Sequence, residues 1–541
     1  MQCRRGFDNR IPRIFVAKAA QYQPRQESGS TGKQQTHSIV AMSPPTESSP
    51  LLQHEAESAE EAAPPLRPKG SWLRWPKVTN PQAINGMQMF VIFTLTFSAL
   101  LASVPQLQLL EGAICKEYYA ARSPLEADEP RPCKIPAVEA RLARLTGISS
   151  TLGIAAELVM ALPMGRLADR IGKRPIMIWA VVSYMLTSMW TSGVLWFSDR
   201  LPVSLILGNF VPLLLGGGET VLVSMLFAMT AEIAPSALRA NYFLQLSVGS
   251  FLGQSLASLV SSVLLIKGYT WLPILLSYII PPIGLSILVF YPEKRRLPHQ
   301  QETPADEPSP GDKVTLKHRF TAAVRAAGST VSIISSPSAA FIMFSFLLVS
   351  PVTMCVATLL LLLVRMRFHW SFAQAGLLLS IRGFGNIFVS LVFIPIITKI
   401  LMSDRFRFRY STAQKDLSLA KVFVLLLTVG TALVTVPAIP GVITGVIIVT
   451  FGYGWLAMCR SLMVVFIDES QLSQLYSLIS MVEAIGTLLA QPILSGLFSI
   501  GLELGPPWEI LPFTVTTLLC LLAACLLFFV RLPTLGSGNL V

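Results

Sequence analysis

The sequence predicts an all-α membrane protein with twelve transmembrane helices in two six-helix halves. Of its 541 residues, 52% are apolar and only 13% are charged, and the mean hydropathy is +0.59. Apolar runs of about 20 residues recur along the chain, and each could cross a hydrocarbon core about 30 Å thick as a helix. A polar segment separates the sixth run from the seventh. A soluble protein of this length could not bury so much apolar surface.

Twelve apolar runs define the predicted spans. They lie at residues 87–110, 146–167, 174–197, 202–230, 242–266, 270–291, 338–364, 371–398, 417–437, 440–466, 474–499 and 509–531. The predicted organisation is an N-terminal tail (1–80), a first half (81–291), a cytoplasmic central linker (292–335), a second half (336–532) and a C-terminal tail (533–541).

The N-terminal tail is rich in Ser, Pro, Glu and Gln, which is typical of disordered cytoplasmic segments. Its first 25 residues look like a basic presequence, although a gene model begun upstream of Met42 would look the same. The hexamer from Glu47 to Leu52 either fits an acidic dileucine sorting signal or arises by chance. In the linker, residues 317–334 could form a basic amphipathic helix on the membrane surface.

Loop charge predicts the orientation, because basic loops lie on the cytoplasmic side. With the tail inside, the loop 399–416 is cytoplasmic, and its five basic residues against two acidic ones agree with that side. Arg365 and Arg367 would lie outside, against the rule. We expect the protein in the plasma membrane, with an endosomal or vacuolar membrane as the alternative.

Two cysteines stand apart from the others. Cys115 and Cys133 lie in the first outside loop, whereas Cys355, Cys459 and the other late cysteines fall within apolar runs. In an oxidising compartment this pair could form a disulfide, and the alternative is two unrelated thiols. We expect the disulfide.

Several function classes are disfavoured. All five histidines lie outside the membrane interior, which argues against intramembrane metal sites and His-dependent membrane enzymes. No Walker sequence is present, so ATP does not drive the protein. The net charge of +12 follows from the positive-inside rule and does not indicate nucleic-acid binding. We therefore expect no enzyme activity, metal or cofactor.

Charged residues within the spans are the best functional candidates, because each costs several kcal/mol unless paired or hydrated. Glu157 lies about 15 Å from the inner end of its span, counted along the helix. Glu219, Arg382 and Glu483 also fall near the middle of their spans. Structural ion pairs, such as Arg382 with Glu483 or Glu157, and substrate or proton binding remain equal alternatives. The run Gly216–Gly218 favours close helix packing over a local break.

One polar segment carries a specific pattern. It runs from Gly165 to Pro175, between the second and third spans, and reads G-R-L-A-D-R-I-G-K-R-P. Gly165 and Gly172 would permit a tight loop there. The spacing closely resembles the signature loop of the major facilitator superfamily of transporters, and the hydropathy agrees with that fold. The segment from Glu232 to Arg239 resembles the second cytoplasmic element of the family.

The resemblance implies a conformational latch at the inner side and a substrate cavity between the halves. In this interpretation Asp169 holds the signature loop against the inner end of the eleventh span, near Gln474. The full latch is Gly165, Arg166, Asp169, Arg170, Gly172, Arg174, Glu232 and Arg239. The candidates for the substrate or proton pathway are Gln106, Glu157, Asn209, Glu219, Gln254, Thr353, Arg382, Asn386, Tyr453 and Glu483.

Two of these candidates depart from the family pattern. Asn209 stands where many members have an Arg, and Gln254 stands where drug–proton antiporters usually have a Pro. We still expect a proton-coupled secondary transporter of a small organic solute, working by alternating access as a monomer in the bilayer. The alternative is a transporter-like nutrient sensor that signals through its tails.

Overall fold

The computed structural model describes residues 80–120, 133–233, 239–287, 336–401, 412–466 and 472–532. Regular structure in these ranges is helical throughout. The whole central linker, the C-terminal tail and the N-terminal tail up to residue 79 lie outside the described residues, as do the sorting hexamer and the linker helix.

The first half contains six helices. They are α1 (Pro81–Ala120), α2 (Pro136–Ile171), α3 (Lys173–Trp196), α4, α5 (Arg239–Ile266) and α6 (Trp271–Ile287). Helix α4 has a 3₁₀ entry (Val203–Asn209) and two α-helical parts, α4a (Phe210–Gly216) and α4b (Gly218–Ile233).

The second half also contains six helices. They are α7 (Pro337–Phe368), α8 (Phe372–Leu401), α9 (Thr412–Val434), α10 (Ile439–Val464), α11 (Leu472–Leu504) and α12 (Leu511–Phe529). Eleven of the described helices are long and apolar enough to cross a membrane, and α6 is shorter over its described 17 residues. Each of the twelve predicted spans therefore corresponds to a helix.

Some helices extend far beyond their apolar runs. Helix α1 has 40 residues and α2 has 36, about twice the length that a bilayer requires. Hydropathy misses these extensions because their residues are charged, as in the segment from Glu139 to Arg144.

The signature segment is not a loop, contrary to the prediction. Helix α2 continues to Ile171 and α3 begins at Lys173, so Gly172 alone connects them. Its φ of +100° lies in a region that favours glycine, so the prediction for this glycine is confirmed. Gly165 lies inside α2, and a β-carbon there would meet nothing within 4 Å. Its proposed role in a tight loop is therefore wrong.

Two buried apolar clusters divide the described core. We call the end of the bundle with Cys115 and Cys133 the disulfide end, and the end with Gly172 the motif end. The larger cluster joins the second half to first-half residues of the disulfide end, such as Ile114 and Leu142. The smaller cluster contains first-half residues alone, such as Met177 and Leu226. The halves therefore share a buried core toward the disulfide end.

Candidate functional site

A buried cation joins the two halves at the disulfide end. Arg365 of α7 lies with Nη2 2.6 Å from Oε1 of Glu111 in α1 and 3.5 Å from Oε1 of Glu139 in α2. The exposed fractions of the three side chains are 2%, 9% and 0%. The guanidinium carbon stacks 3.3 Å from the ring centre of Phe372. We call Arg365, Glu111 and Glu139 the Arg365 triad.

Other polar contacts between the halves surround the triad. Lys134 Nζ donates to the backbone carbonyl oxygens of His369 and Trp370, both at 3.2 Å. Arg144 of α2 pairs with Glu503 of α11 at 2.7 Å, close to the solvent. Together with the shared core, these contacts close the disulfide end.

The disulfide Cys115–Cys133 is present, so this prediction is confirmed. It ties the last turns of α1 to the residue that precedes Lys134. Glu111 lies one helical turn before Cys115, and Glu139 lies in the first turns of α2. The disulfide therefore fixes the two carboxylates of the triad relative to each other.

In the first half, helix α4 is broken next to a carboxylate. Gly217 and Gly218 adopt φ values of +71° and +52°, which divide α4a from α4b. The carboxylate of Glu157 in α2 accepts a hydrogen bond from the hydroxyl of Thr220 in the first turn of α4b. A helix N-terminus favours a negative charge, so Glu157 caps α4b from a neighbouring helix.

The run Gly216–Gly218 serves both for close helix packing and for a break in α4, whereas the prediction favoured packing alone. Gly216 does bring α4a close to α3, since a β-carbon there would lie 2.9 Å from the carbonyl oxygen of Trp179. However, Gly217 and Gly218 also produce a local break, which the sequence pattern did not favour.

A small, partly open pocket lies beside this break. It is lined by α1, α3 and α4b, mostly with apolar side chains, and its polar groups include Thr96, Tyr184 and Glu219. Glu157 and Glu219 are near enough to interact electrostatically. Neither forms an ion pair with a cation among the described residues. Of the two, Glu219 lines the pocket, and Glu157 lies at the break in α4.

The second half carries the cationic counterpart. Arg382 Nη2 in α8 donates to the hydroxyl of Tyr453 at 3.0 Å. Arg460 Nη2 in α10 contacts both carboxylate oxygens of Glu483 in α11, at 3.0 and 2.8 Å. The ion pair of Arg382 with Glu483 or Glu157, one of the two alternatives left open by the sequence, does not form, because each of these three side chains has another partner.

The remaining pathway candidates are held in separate places. Gln106 Nε2 donates to the hydroxyls of Ser188 and Ser192 in α3. Asn209 Oδ1 accepts from Ser149 of α2, and Gln254 Nε2 donates to Ser250 within α5. Asn386 is half-buried one turn along α8 from Arg382.

The structure leaves most latch contacts untested. Arg166 and Arg170 are exposed on the last turns of α2, as expected for solvated cations. The side chains of Asp169, Glu232 and Arg239 lie outside the described residues, as does that of the pathway candidate Thr353. The latch remains a prediction.

Sequence reasoning missed the Arg365 triad and Arg460. The signal for the triad was present, because Arg365 contradicted the loop-charge rule on the outside face. A cation that breaks this rule at a helix end requires a partner, and two carboxylates lie at the corresponding ends of α1 and α2. No comparable signal distinguished Arg460.

Comparison with known proteins agrees with this architecture. A family model described as Major Facilitator Superfamily matches residues 142–490. The "MFS efflux pump atnC" of Emericella nidulans is 27% identical over 502 residues, which cover 89% of this chain and 95% of the relative. The "Efflux pump ustT" of Aspergillus flavus is 26% identical over 437 residues, which cover 78% and 84%.

Solved structures support the fold. A crystal structure of a D-xylose–proton symporter aligns with a TM-score of 0.55 at 14% identity, over 85% of this chain and 99% of the other. The human organic anion transporter MFSD10 aligns with a TM-score of 0.51 at 17% identity, over 82% and 99%. The family match extends over more than half of the sequence, and the chain is therefore an integral, multi-pass membrane transporter that belongs to the major facilitator superfamily.

Proposed function

We propose that this protein is a proton-coupled secondary transporter that exports a small organic solute by alternating access. The two efflux pumps that resemble it over most of their length support the direction of transport. The departure at Gln254 does not oppose export in this proposal, because the proton sites are assigned elsewhere.

One observation carries the proton coupling: Glu157 and Glu219 lie together without a described cationic partner. An ionised carboxylate in a membrane interior costs roughly 3 kcal/mol or more unless it is paired or hydrated. Two adjacent carboxylates repel each other as well, so one of them is expected to hold a proton in this conformation. Release of that proton when substrate enters would couple proton transport to substrate transport.

The cationic side of the pathway indicates the kind of substrate. Arg382 is bonded to a neutral phenol and stacks near its ring, so its charge is not cancelled by a described acid. A charged donor of this kind favours a substrate with an anionic or strongly accepting oxygen. The pocket beside the break in α4 has a mostly apolar lining, which would suit a hydrocarbon portion of the substrate.

Orientation follows from the disulfide and the charges. A disulfide persists in an oxidising compartment, so the disulfide end would face outward. The basic motif end would face the cytoplasm. With the disulfide end closed, substrate would load from the cytoplasm. We expect the protein in the plasma membrane, with an endosomal or vacuolar membrane as the alternative. We expect it to work as a monomer.

The test uses purified protein in liposomes that contain a pH-sensitive dye. A panel of small organic acids, drugs and sugars is added, and substrate-induced proton flux is recorded together with counterflow of each labelled compound. We expect Glu157→Gln to abolish proton flux while exchange continues, and Asp199→Asn, an exposed surface change, to behave like the parent. Exchange without proton flux in the parent would refute the coupling. A nutrient sensor would show no counterflow at all.

A further inference from the structure

The Arg365 triad contains one more carboxylate than it can neutralise. Arg365 supplies one positive charge, whereas Glu111 and Glu139 would supply two negative charges if both were ionised. All three side chains are almost completely buried. A net charge buried in this way is expensive, and proteins usually remove it by binding a proton.

The hydrogen bonds point to the same conclusion. As an ionised group, Glu139 is left with two buried oxygens that accept no hydrogen bond. The carboxyl group of Glu139 is nevertheless close enough to that of Glu111 for the two to form a hydrogen bond. Two ionised carboxylates cannot bond to each other, because both only accept. A single proton on Glu139 would provide the missing donor and remove the surplus charge together.

We propose that Glu111 and Glu139 share one proton against Arg365, and that this proton-binding site seals the disulfide end. When the halves separate there, water reaches both carboxyl groups and the proton leaves to the same compartment. When the halves close, one proton is taken up again. The site therefore regulates the gate and carries no net proton flux, so it is independent of the coupling proposed for Glu157 and Glu219.

The direction of the pH effect follows from the proton count. The closed state binds one more proton than the open state, so acid on this side favours closure and alkali favours opening. For one proton, the ratio of open to closed protein changes at most about tenfold per pH unit.

Most other charged groups around the triad are paired with each other, in Arg141–Glu117, Arg144–Glu503 and Arg367–Glu509. Lys134 donates to two neutral carbonyl oxygens and keeps its charge, which acts on Glu139 from outside the triad and more weakly than Arg365. The turn between α7 and α8 also contains a histidine, His369, whose backbone carbonyl oxygen accepts a hydrogen bond from Lys134. It must therefore be controlled for.

The test measures opening of the disulfide end directly and needs no substrate. Spin labels are placed at Asp199→Cys and Leu504→Cys, one on each half, in a background with Cys3→Ser and Cys525→Ser. Both label positions are exposed, and Cys355, Cys459 and Cys520 are buried. Distance distributions of the full-length protein are recorded between about pH 5.5 and pH 8.5. We expect the open fraction of the parent to increase with pH.

Two variants distinguish a proton shared by Glu111 and Glu139 from an ordinary ion pair with Arg365. Glu139→Gln supplies a permanent neutral donor, so it should stay closed at every pH and lose the pH dependence. Glu111→Gln leaves one carboxylate for one guanidinium, and its gate should also become independent of pH. This second variant keeps the test decisive if the first does not fold.

The control His369→Asn suits the left-handed backbone of this residue, φ +56°, and should keep the pH dependence of the parent. The proposal is overturned if Glu139→Gln keeps the full pH dependence, since Glu157 or Glu219 would then be responsible. It is also overturned if Glu139→Gln opens the gate at every pH, or if His369→Asn abolishes the effect.

Discussion

The phenol oxygen of Tyr453 accepts a hydrogen bond from Nη2 of Arg382 at 3.0 Å, and the ring of the same tyrosine lies 5.0 Å from the guanidinium carbon. One neutral side chain thus orients the cation by its hydroxyl and stabilises it by its ring. Neither contact cancels the charge. Arg382 remains able to attract an anionic group, in a position that a neighbouring helix fixes.

We therefore expect Arg382→Gln to raise the KM for transport by about tenfold or more, since a charged hydrogen bond contributes roughly 1.5–3 kcal/mol. Tyr453→Phe keeps the ring and loses the hydroxyl, so its effect should be smaller, near fivefold. Arg382→Lys should lie between these two. Counterflow of a substrate found in the compound panel gives the values, and an unchanged KM in Arg382→Gln would exclude this role.

The pair Arg460–Glu483 should stabilise the second half modestly. Its side chains are 38% and 25% exposed, so solvent screens part of the attraction. We expect the double-mutant cycle of Arg460→Gln and Glu483→Gln to give a coupling of about 1 kcal/mol in equilibrium unfolding. The exposed pair Lys116–Asp199 is the matched control and should give almost none. Equal coupling in the two cycles would contradict the structure.

Gly218→Ala should damage both folding and transport. Its φ of +52° is unfavourable for alanine, and a β-carbon would lie 2.8 Å from Glu157 Oε1. Strain of this type costs about 1–3 kcal/mol. Gly165→Ala is the control, because nothing lies within 4 Å of its β-carbon. Folded yield and melting temperature should fall for Gly218→Ala alone, and equal behaviour of the two variants would refute the break in α4.

Reduction of Cys115–Cys133 should expose both thiols and lower the melting temperature. A bridge across 18 positions stabilises by about 3 kcal/mol in the chain-entropy model. In protein with Cys3→Ser and Cys525→Ser, a maleimide reagent should label these residues after reduction and leave untreated protein unlabelled. Labelling without reduction would show that the bridge is absent from the mature protein.

The helices could be predicted from the sequence because a bilayer requires long apolar runs, and hydropathy measures them directly. The disulfide could be predicted as well, since Cys115 and Cys133 lie in the first outside loop and the later cysteines fall within apolar runs. Side-chain partners could not. Whether Glu483 meets Arg382 or Arg460 depends on how α8, α10 and α11 rotate about their axes, and the depth of a residue along its own helix carries no such information.

The candidate site shows the same limit. Glu157 and Glu219 stood out because ionisable groups in spans are rare, but their proximity depends on the break between α4a and α4b. Three consecutive glycines permit either close packing or a break, and only the φ values of Gly217 and Gly218 decide between them. The Arg365 triad required the two halves to meet, which a single chain read in order does not reveal.

The connection through Gly172 has a mechanical consequence. A single residue connects α2 to α3, so the end of α3 cannot move independently of the end of α2. A tilt of α2 is therefore transmitted to α3. Helix α2 carries Glu139 near one end and Glu157 farther along. A rigid tilt of α2 that pulls Glu139 away from Arg365 therefore also displaces Glu157, which contacts the first turn of α4b from the same helix.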